Sequence, residues 1–378
     1  MSKLHTVLIG WIAIGCCYGL SWADTIVSIS NSKYYADNTR ALFLMPRSAS
    51  LAGADFVFSR DGSPQTNPGN LSFDTTNDAS LSYASYYKNT FSSSIFSFAG
   101  AIDSLSGYGI SFSYLYVPDI MGTKNLLVDQ DGIPIYDESR MLISSYSDIY
   151  FHVGYGRKMF TSKVVELAGG VSVNAQRQRL AFDGYRGYSI GLDAGAVANF
   201  PASGVRLSLA CENITTQYTK WSANYSETAY PHLRFGAGWQ KDLPYIYGRF
   251  QIQYKTLDLL GNEGADAIDA TTFLTTVSND QSQDASNSST ANQMPGEKPS
   301  MSNSTLSALL GSIGIEYLIK EIFAIRVGGN FQNPAASAEQ KFAFGCGVNL
   351  FRNSLSIDAS YALHELAATY QIGMTYRR

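Results

Sequence analysis

From about residue 80 onward, apolar and polar residues take turns along the chain, the period-two pattern of a strand with one apolar face. Leu355, Ile357, Ala359 and Tyr361 share one face, with Ser356, Asp358 and Ser360 on the other. The last segment sets Leu366, Ala368, Tyr370, Ile372, Met374 and Tyr376 against Thr369, Gln371, Gly373 and Thr375. Phe250, Ile252 and Tyr254 alternate with Arg249, Gln251, Gln253 and Lys255, and Leu233, Phe235, Ala237 and Trp239 with His232, Arg234 and Gln240. The pattern predicts about fourteen strands, over 79–88, 93–102, 107–117, 143–158, 163–178, 186–200, 204–216, 231–241, 244–257, 307–318, 321–330, 338–350, 353–362 and 366–377.

A soluble β-sandwich would alternate as well. Strand length separates the two: many of these segments reach the roughly 9–11 residues that a tilted strand needs to cross a bilayer, against about five or six in soluble sheets. Tyrosine and phenylalanine gather towards strand ends, as in aromatic girdles, and the polar faces carry Arg, Lys, Glu, Asp and Gln, which suit a lumen and not a core. Connections also sort by parity. Those at 103–106, 159–162, 201–203, 242–243, 319–320 and 351–352 are short, whereas 118–142, 217–230 and 258–306 are long and all fall at the opposite end. Short turns on one side and long loops on the other describe an outer-membrane barrel. The expected fold is therefore all-β, a transmembrane antiparallel up-and-down β-barrel occupying 79–378. Its 258–306 loop is rich in Ser, Asn, Thr, Asp and Gln and is expected to be flexible and solvated.

Ahead of the strands stand two further segments. Lys3, the apolar stretch Val7 to Leu20 and Ser21-Trp22-Ala23 read as an export signal over 1–23, cleaved before Asp24; a lipoprotein signal at Cys16 is the competing reading. Residues 24–78 lack sustained alternation but hold the apolar run Ala41 to Met45, ended by Pro46, then Phe56-Val57-Phe58 and Asn67-Pro68. Barrels of about 8 strands fill themselves and those of about 16–18 leave a channel, so a wall of about fourteen needs an occupant. Residues 24–78 are the expected hatch.

Composition agrees. Aromatics reach 13% and charged residues only 15%, with hydrophobic residues spread singly and not in helical spans. The net charge of −4 implies no nucleic-acid partner. Beyond the signal, Cys211 and Cys346 remain, both on apolar strand faces, and read as small hydrophobic residues and not as a bridge. No catalytic motif surrounds His152, His232 or His364, so no enzyme activity, cofactor or metal is expected; Asp129-Gln130-Asp131-Gly132 with Asp137 and Glu138 lacks the full spacing of a calcium loop. The lumenal charges Asp148, Glu166, Asp193, Arg206, Glu212, Arg234, Arg249, Lys255, Arg326 and Asp358 have two readings. All solvate the lumen and pair with the hatch, or Arg234, Arg249 and Arg326 attract a carboxylate head group.

Several ordered patches resemble one family. They are Arg47-Ser48-Ala49-Ser50-Leu51-Ala52-Gly53-Ala54, Asp61 and Asn67-Pro68-Gly69-Asn70-Leu71; Glu212-Asn213 and Pro231-His232-Leu233-Arg234-Phe235-Gly236; then Gly314-Ile315-Glu316-Tyr317, Ala324-Ile325-Arg326-Val327-Gly328, Phe344-Gly345 and Ser356-Ile357-Asp358-Ala359-Ser360-Tyr361. The set is similar to the FadL-type long-chain fatty acid transporters of the bacterial outer membrane, including their spirochaetal relatives and the PorV-type barrels of type IX secretion. Gly69 stands where that family has Ala, its Met-Gly pair is missing, and the chain ends Tyr376-Arg377-Arg378 without a terminal aromatic. The resemblance implies a monomeric outer-membrane barrel that passes long-chain fatty acids or similar hydrophobic molecules, with sideways release into membrane lipid. Gly169-Gly170 and Gly328-Gly329 are the candidate breaks in the wall, or places where the hatch packs close. It also places Asn67-Pro68 in the gating hatch. Phe43, Leu44, Met45, Leu51, Phe56, Phe58 and Leu71 are its candidate apolar contacts. The alternative is a PorV-like barrel that holds secreted protein cargo at the cell surface.

Overall fold

A computed structural model describes residues 39–59, 64–73, 76–122, 127–130, 133–136, 141–181, 184–222, 226–256, 259, 311–331, 342–351, 353–363 and 367–378. The export signal, the start of the hatch, Asp61, most of the calcium-like loop, the 258–306 loop apart from Leu259, and His364 lie outside these residues. The strands, in chain order, are β1 (Asp78–Tyr86), β2 (Phe91–Ala101), β3 (Ser106–Gly122), β4 (Leu127–Gln130), β5 (Ile133–Tyr136), β6 (Leu142–Thr161), β7 (Glu166–Leu180), β8 (Tyr185–Phe200), β9 (Val205–Glu212), β10 (Gln217–Trp221), β11 (Ser226–Ala229), β12 (His232–Leu243), β13 (Gly248–Thr256), β14 (Gly311–Ile319), β15 (Phe323–Asn330), β16 (Phe342–Leu350), β17 (Leu355–Leu363) and β18 (Thr369–Arg377).

Fourteen of them form one closed antiparallel wall, β1-β2-β3-β6-β7-β8-β9-β12-β13-β14-β15-β16-β17-β18, each paired with its neighbours in sequence order. The ring shuts where β1 meets β18, from Asp78↔Arg377 to Ser85↔Tyr370. Asn77 and Arg378 exchange backbone hydrogen bonds of 3.0 and 2.9 Å, and Arg377 Nε donates to Asp78 at 3.2 Å, so the two ends of the wall clamp each other. Closure leaves the ring without bare edges. At the termini end the connections are tight. Asp103, for example, accepts from the N–H groups of Leu105 and Ser106 at 2.8 and 2.7 Å, the side-chain turn that lets β2 reverse into β3.

Alternation sorts the wall into two faces of opposite character. Outward positions such as Leu81, Phe96, Phe112, Val171, Ile325 and Ile372 are exposed, while inward Ser111, Asp148, Asn174, Gln253, Glu316 and Ser356 are buried. A water-soluble core has the reverse arrangement. Cys211 and Cys346 carry free thiols on the outward side of β9 and β16.

Two strand ends differ from the sequence expectation. β3 does not stop before Pro118; it runs through a bulge between Val117 and Ile120, with Asp119 at positive φ, and on to Gly122. A bulge absorbs proline's missing donor, which is why the strand survives it. The expected 204–216 strand instead breaks after Glu212, with Asn213 and Thr216 at positive φ. Beyond this kink β10 resumes pairing with β8, and β11 returns against β10, so part of the expected 217–230 loop extends the wall as a hairpin. Likewise β4 and β5 pair as a separate hairpin inside the 118–142 connection.

The N-terminal segment lies within the ring. Its described residues form turns and one short helix, α1 (Pro46–Ser50), and α1 packs on β15 to β18 while residues 68–73 pack on β3, β6, β7 and β8. Inward glycines make room for it. A Cβ on Gly170 would meet the Pro68 backbone, and one on Gly328 the backbone of Leu51 and Ala52. Both glycine pairs sit in unbroken ladder, so the described wall has no gap at either.

Adjacent glycines of β7 offer a test. Gly170→Ala drives its methyl into backbone and is expected to cost about 1–3 kcal/mol, the usual range for overpacking. Outward Gly169→Ala meets only the flexible end of Met159 and should stay within about 0.5 kcal/mol. Urea unfolding of the folded barrel followed by tryptophan fluorescence measures both; equal losses would contradict this packing.

Candidate functional site

The lumen is the concave space of this protein, and the N-terminal segment is tied into it by two buried arginines. Arg40 forks onto Asp193 with two contacts of 3.1 Å and donates to the Gln65 carbonyl at 2.5 Å. Asp193 also accepts from Ser172 at 3.1 Å, from Asn174, and from the Asn213 N–H at 2.9 Å. One carboxylate thus joins the hatch, β7, β8 and the kink after β9. Burial alone would drive the Arg40 guanidinium towards its neutral form, but the charges of Asp193 and Glu212 leave its pKa raised, so it stays a cation.

Arg47, on α1, is the second tie. Its Nε lies 3.0 Å from Glu316, Nη2 3.2 Å from Gln251 Oε1, Nη1 3.1 Å from the Phe58 carbonyl and 3.6 Å from Asp55. Glu316 is shared with Arg326 at 2.5 Å, and Arg326 reaches Asp358 at 2.6 Å. The chain of alternating charges leaves no member of this group alone in a low-dielectric space, which is the condition for burying charge at all.

Of the three candidate carboxylate-attracting bases, Arg326 is therefore held by two carboxylates and Arg234 by Glu212, both in the lumen. Arg249 sits at the short-turn end, paired with Asp242 at 2.7 Å and Glu321 at 3.2 Å. The structure does not bring the three together. His152 and His232 are buried on the inward face, with His152 stacked on Tyr150 at 5.0 Å. Among the described residues no group of three or more His, Cys, Asp or Glu is placed to hold a metal ion.

The candidate hatch residues separate into three groups. Phe56 and Phe58 form a cluster with Val57 and Ala210, seated over Gly236 and Gly238, where a Cβ would come within 2.6 and 2.5 Å of their rings. Leu51 presses on Gly314 and Gly328, and Leu71 and Pro68 on the glycines of β6 and β7. Asn67 is fully buried; its Oδ1 accepts from the Gly69 N–H at 2.9 Å and its Nδ2 faces the carbonyls of Ala196 and Leu209 at 3.4 Å. These residues fix the hatch to the wall. Leu44 is half-buried.

Phe43 and Met45 do something different. They pack on Ile95, Leu115 and Tyr150, with Leu42, Phe91, Val117 and Tyr146 around them. Ile95, Leu115, Val117 and Tyr150 occupy inward positions on a wall whose inward face is mostly polar. On β3 the inward run is Ser111, Ser113, Leu115, Val117. The cluster lies towards the long-loop end, next to the start of β2 and the β3–β6 connection. Here the lumen is lined by hydrocarbon from wall and hatch together. Sequence reasoning named Phe43 and Met45 but missed their wall partners; the signal was a break in phase, apolar residues on the polar parity of β2, β3 and β6. It also missed Arg40. At the opposite end the Phe73 ring is covered by Lys158 and Arg206, at 4.8 and 4.4 Å from its centroid.

No protein-family model and no curated protein matches this sequence. Among solved structures, the Pseudomonas putida toluene transporter TodX aligns at 10% identity and a TM-score of 0.49, over 92% of this chain and 99% of that one. A Pseudomonas aeruginosa FadL homologue aligns at 10% and 0.45, over 91% and 99%. The Ralstonia pickettii toluene transporter TbuX aligns at 11% and 0.45, over 89% and 98%. None of these three reaches a TM-score of 0.5, and no residue role transfers from them at such identities.

The two classes of arginine pair should respond differently to removal. Arg47→Met leaves Asp55 without its cation and Glu316 with Arg326 alone, both in a buried site, and is expected to cost about 3–5 kcal/mol. Arg249→Met removes a pair whose carboxylates are largely exposed and should cost no more than about 1 kcal/mol. Denaturant titration of the folded barrel reads both; similar losses would mean that Arg47 is not an anchor.

Proposed function

We propose that this chain is an outer-membrane transporter of hydrophobic small molecules, of the long-chain fatty acid class, passing them through a barrel plugged by residues 24–78. The outward belt supports the location. Soluble proteins rarely expose an apolar patch beyond a few hundred Å², whereas this wall presents Leu, Ile, Val, Phe and Tyr around its circumference. Hydrocarbon is the solvent such a face needs, and short turns with both ends of the wall on one side match periplasmic placement of that end.

One observation carries the cargo class: the inward apolar cluster of Phe43, Met45, Ile95, Leu115 and Tyr150, the one of the two apolar clusters among the described residues that lies towards the long-loop end of a mostly polar lumen. A permeant that is wholly polar has no use for it. An aliphatic or aromatic tail gains about 0.8 kcal/mol for each methylene it places there. The patch joins wall to hatch, so a molecule entering between them competes with Phe43 for Ile95 and Leu115. The fatty acid class itself comes from the resemblance of the N-terminal and C-terminal motifs to the FadL type.

Sideways release into membrane lipid belongs to the same proposal and rests on the same resemblance.

Binding of a fluorescent long-chain fatty acid to the detergent-folded protein tests the reading. Leu115→Asn is expected to weaken binding about tenfold, the loss of roughly one buried aliphatic side chain. Leu81→Asn, on the outward face, should leave it unchanged. No binding by the native chain, with a secreted protein retained as a stable partner instead, would replace transport by the cargo-holding alternative.

A further inference from the structure

The outward face changes character on one side of the long-loop end. Arg177 and Arg179 of β7, Arg186 of β8 and Lys220 of β10 all have exposed side chains on outward parity. They lie directly above the apolar stretch of the same strands, where Val173, Ile190 and Leu192 point outward. Register brings them together. Arg177 and Lys220 flank Tyr188 from either side, and Arg179 stands opposite Arg186. Two strand spacings separate Arg177 from Lys220 at the backbone, about 10 Å, a gap that two long basic side chains close onto one anion.

This arrangement is unfavourable on its own. Like charges directly opposite each other across strands repel, and a cation on the lipid side costs about 2–4 kcal/mol at the bilayer midplane, falling to about 0–1 near the interface. None of the four has an ion-pair partner among the described residues, and the outward positions of β6, β7, β8 and β10 hold no carboxylate there. Height resolves the second cost. With a rise of about 3.3 Å per residue and a tilt of about 40°, Arg177 stands about 28 Å above the start of β7, just past an apolar band about 25 Å tall. The cations therefore sit at headgroup level.

Beside them is a place for more than a charge. Ser145 and Ala181, joined by a 2.9 Å backbone hydrogen bond, lie just beyond the Arg179↔Ser147 pair and line a notch of about 480 Å³ with Tyr116, Asp119, Leu142, Ile143 and Ser144. Asp119 is the single carboxylate on this rim among the described residues that line it.

We propose that Arg177, Arg179, Arg186 and Lys220 form a binding site for the phosphate-bearing head group of an outer-leaflet lipid, with the uncharged part of the lipid lying against Tyr188, Tyr218 and the notch. Bidentate guanidinium contacts favour phosphate geometry, and the tyrosines supply the amphipathic surface of an interface. The inference rests on the membrane placement proposed above, with the long loops outward.

The test titrates the detergent-folded chain with phosphatidylglycerol, phosphatidylcholine or inorganic phosphate and counts bound copies by native mass spectrometry. The native chain is expected to bind phosphatidylglycerol at least tenfold more tightly than phosphatidylcholine. The triple variant Arg177→Gln/Arg179→Gln/Lys220→Gln should lose that preference at least tenfold, while Arg157→Gln, an outward arginine at the short-turn end, keeps it. Equal binding by the triple variant overturns the site. Displacement of phosphatidylglycerol by inorganic phosphate at equal concentration overturns its assignment to a lipid. A companion measurement inserts both proteins into phosphatidylcholine vesicles and follows the folded band on unheated gels. Insertion without lipid preference counts against the site alone; no insertion of the native chain overturns the site and the membrane reading together.

Discussion

A ring of fourteen strands encloses more space than its own inward side chains can fill, and the occupation of that space governs the rest of this structure. Inward polarity would be unaffordable in a dry core; here each buried carboxylate of the two networks meets an arginine of the wall or the hatch. Asp193 takes Arg40, and Glu316 takes Arg47 and Arg326. Remove the segment, and the wall retains buried acids with too few cations; remove the acids, and the two arginines of the segment are the groups left buried without partners of opposite charge in the wall. The segment and the wall are thus matched in charge as well as in shape.

Against a mostly polar interior, one apolar cluster is informative because wall and hatch build it together near the long-loop end. Ile95, Leu115 and Tyr150 break the polar inward pattern on three neighbouring strands, at one height, opposite Phe43 and Met45. The outer face carries a matching local exception, the basic cluster of β7, β8 and β10 among apolar neighbours. Each exception places on one face the chemistry that belongs to the other, and the ligands proposed above would remove the mismatch in both cases.

Much of the wall was legible in the sequence because period-two alternation is strong wherever one face is apolar and the other polar. Turn parity then oriented it. What escaped was whatever kept the period while changing the path. Residues 204–216 alternate well enough to read as one strand, yet the Asn213–Thr216 excursion carries a hydrogen bond from the Asn213 N–H to Asp193 of another strand, a contact no local pattern records. Pro118 reads as a stop, and the bulge that lets β3 pass it depends on β6. In the lumen, the apolar residues of the hatch were visible by composition, but which of them anchor and which face the cluster is decided by inward glycines such as Gly236 and Gly328, far away in the chain. Arg40 carried no motif; its importance lies wholly in the acid it meets.

The β1–β18 seam fixes an order of events. β1 has no second partner until the last nine residues of the wall have been made and delivered, so a chain arrested anywhere earlier remains a sheet with two bare edges. The hatch is attached immediately upstream of β1 and sits inside the finished ring, threaded past glycines that leave no slack. Arg40 and Arg47 can reach their acids before the seam zips or through an end of the ring afterwards, but the seam itself has one moment. Closing removes the last two bare edges of the wall in a single step, and a cell that assembles this protein has to shield both edges until then.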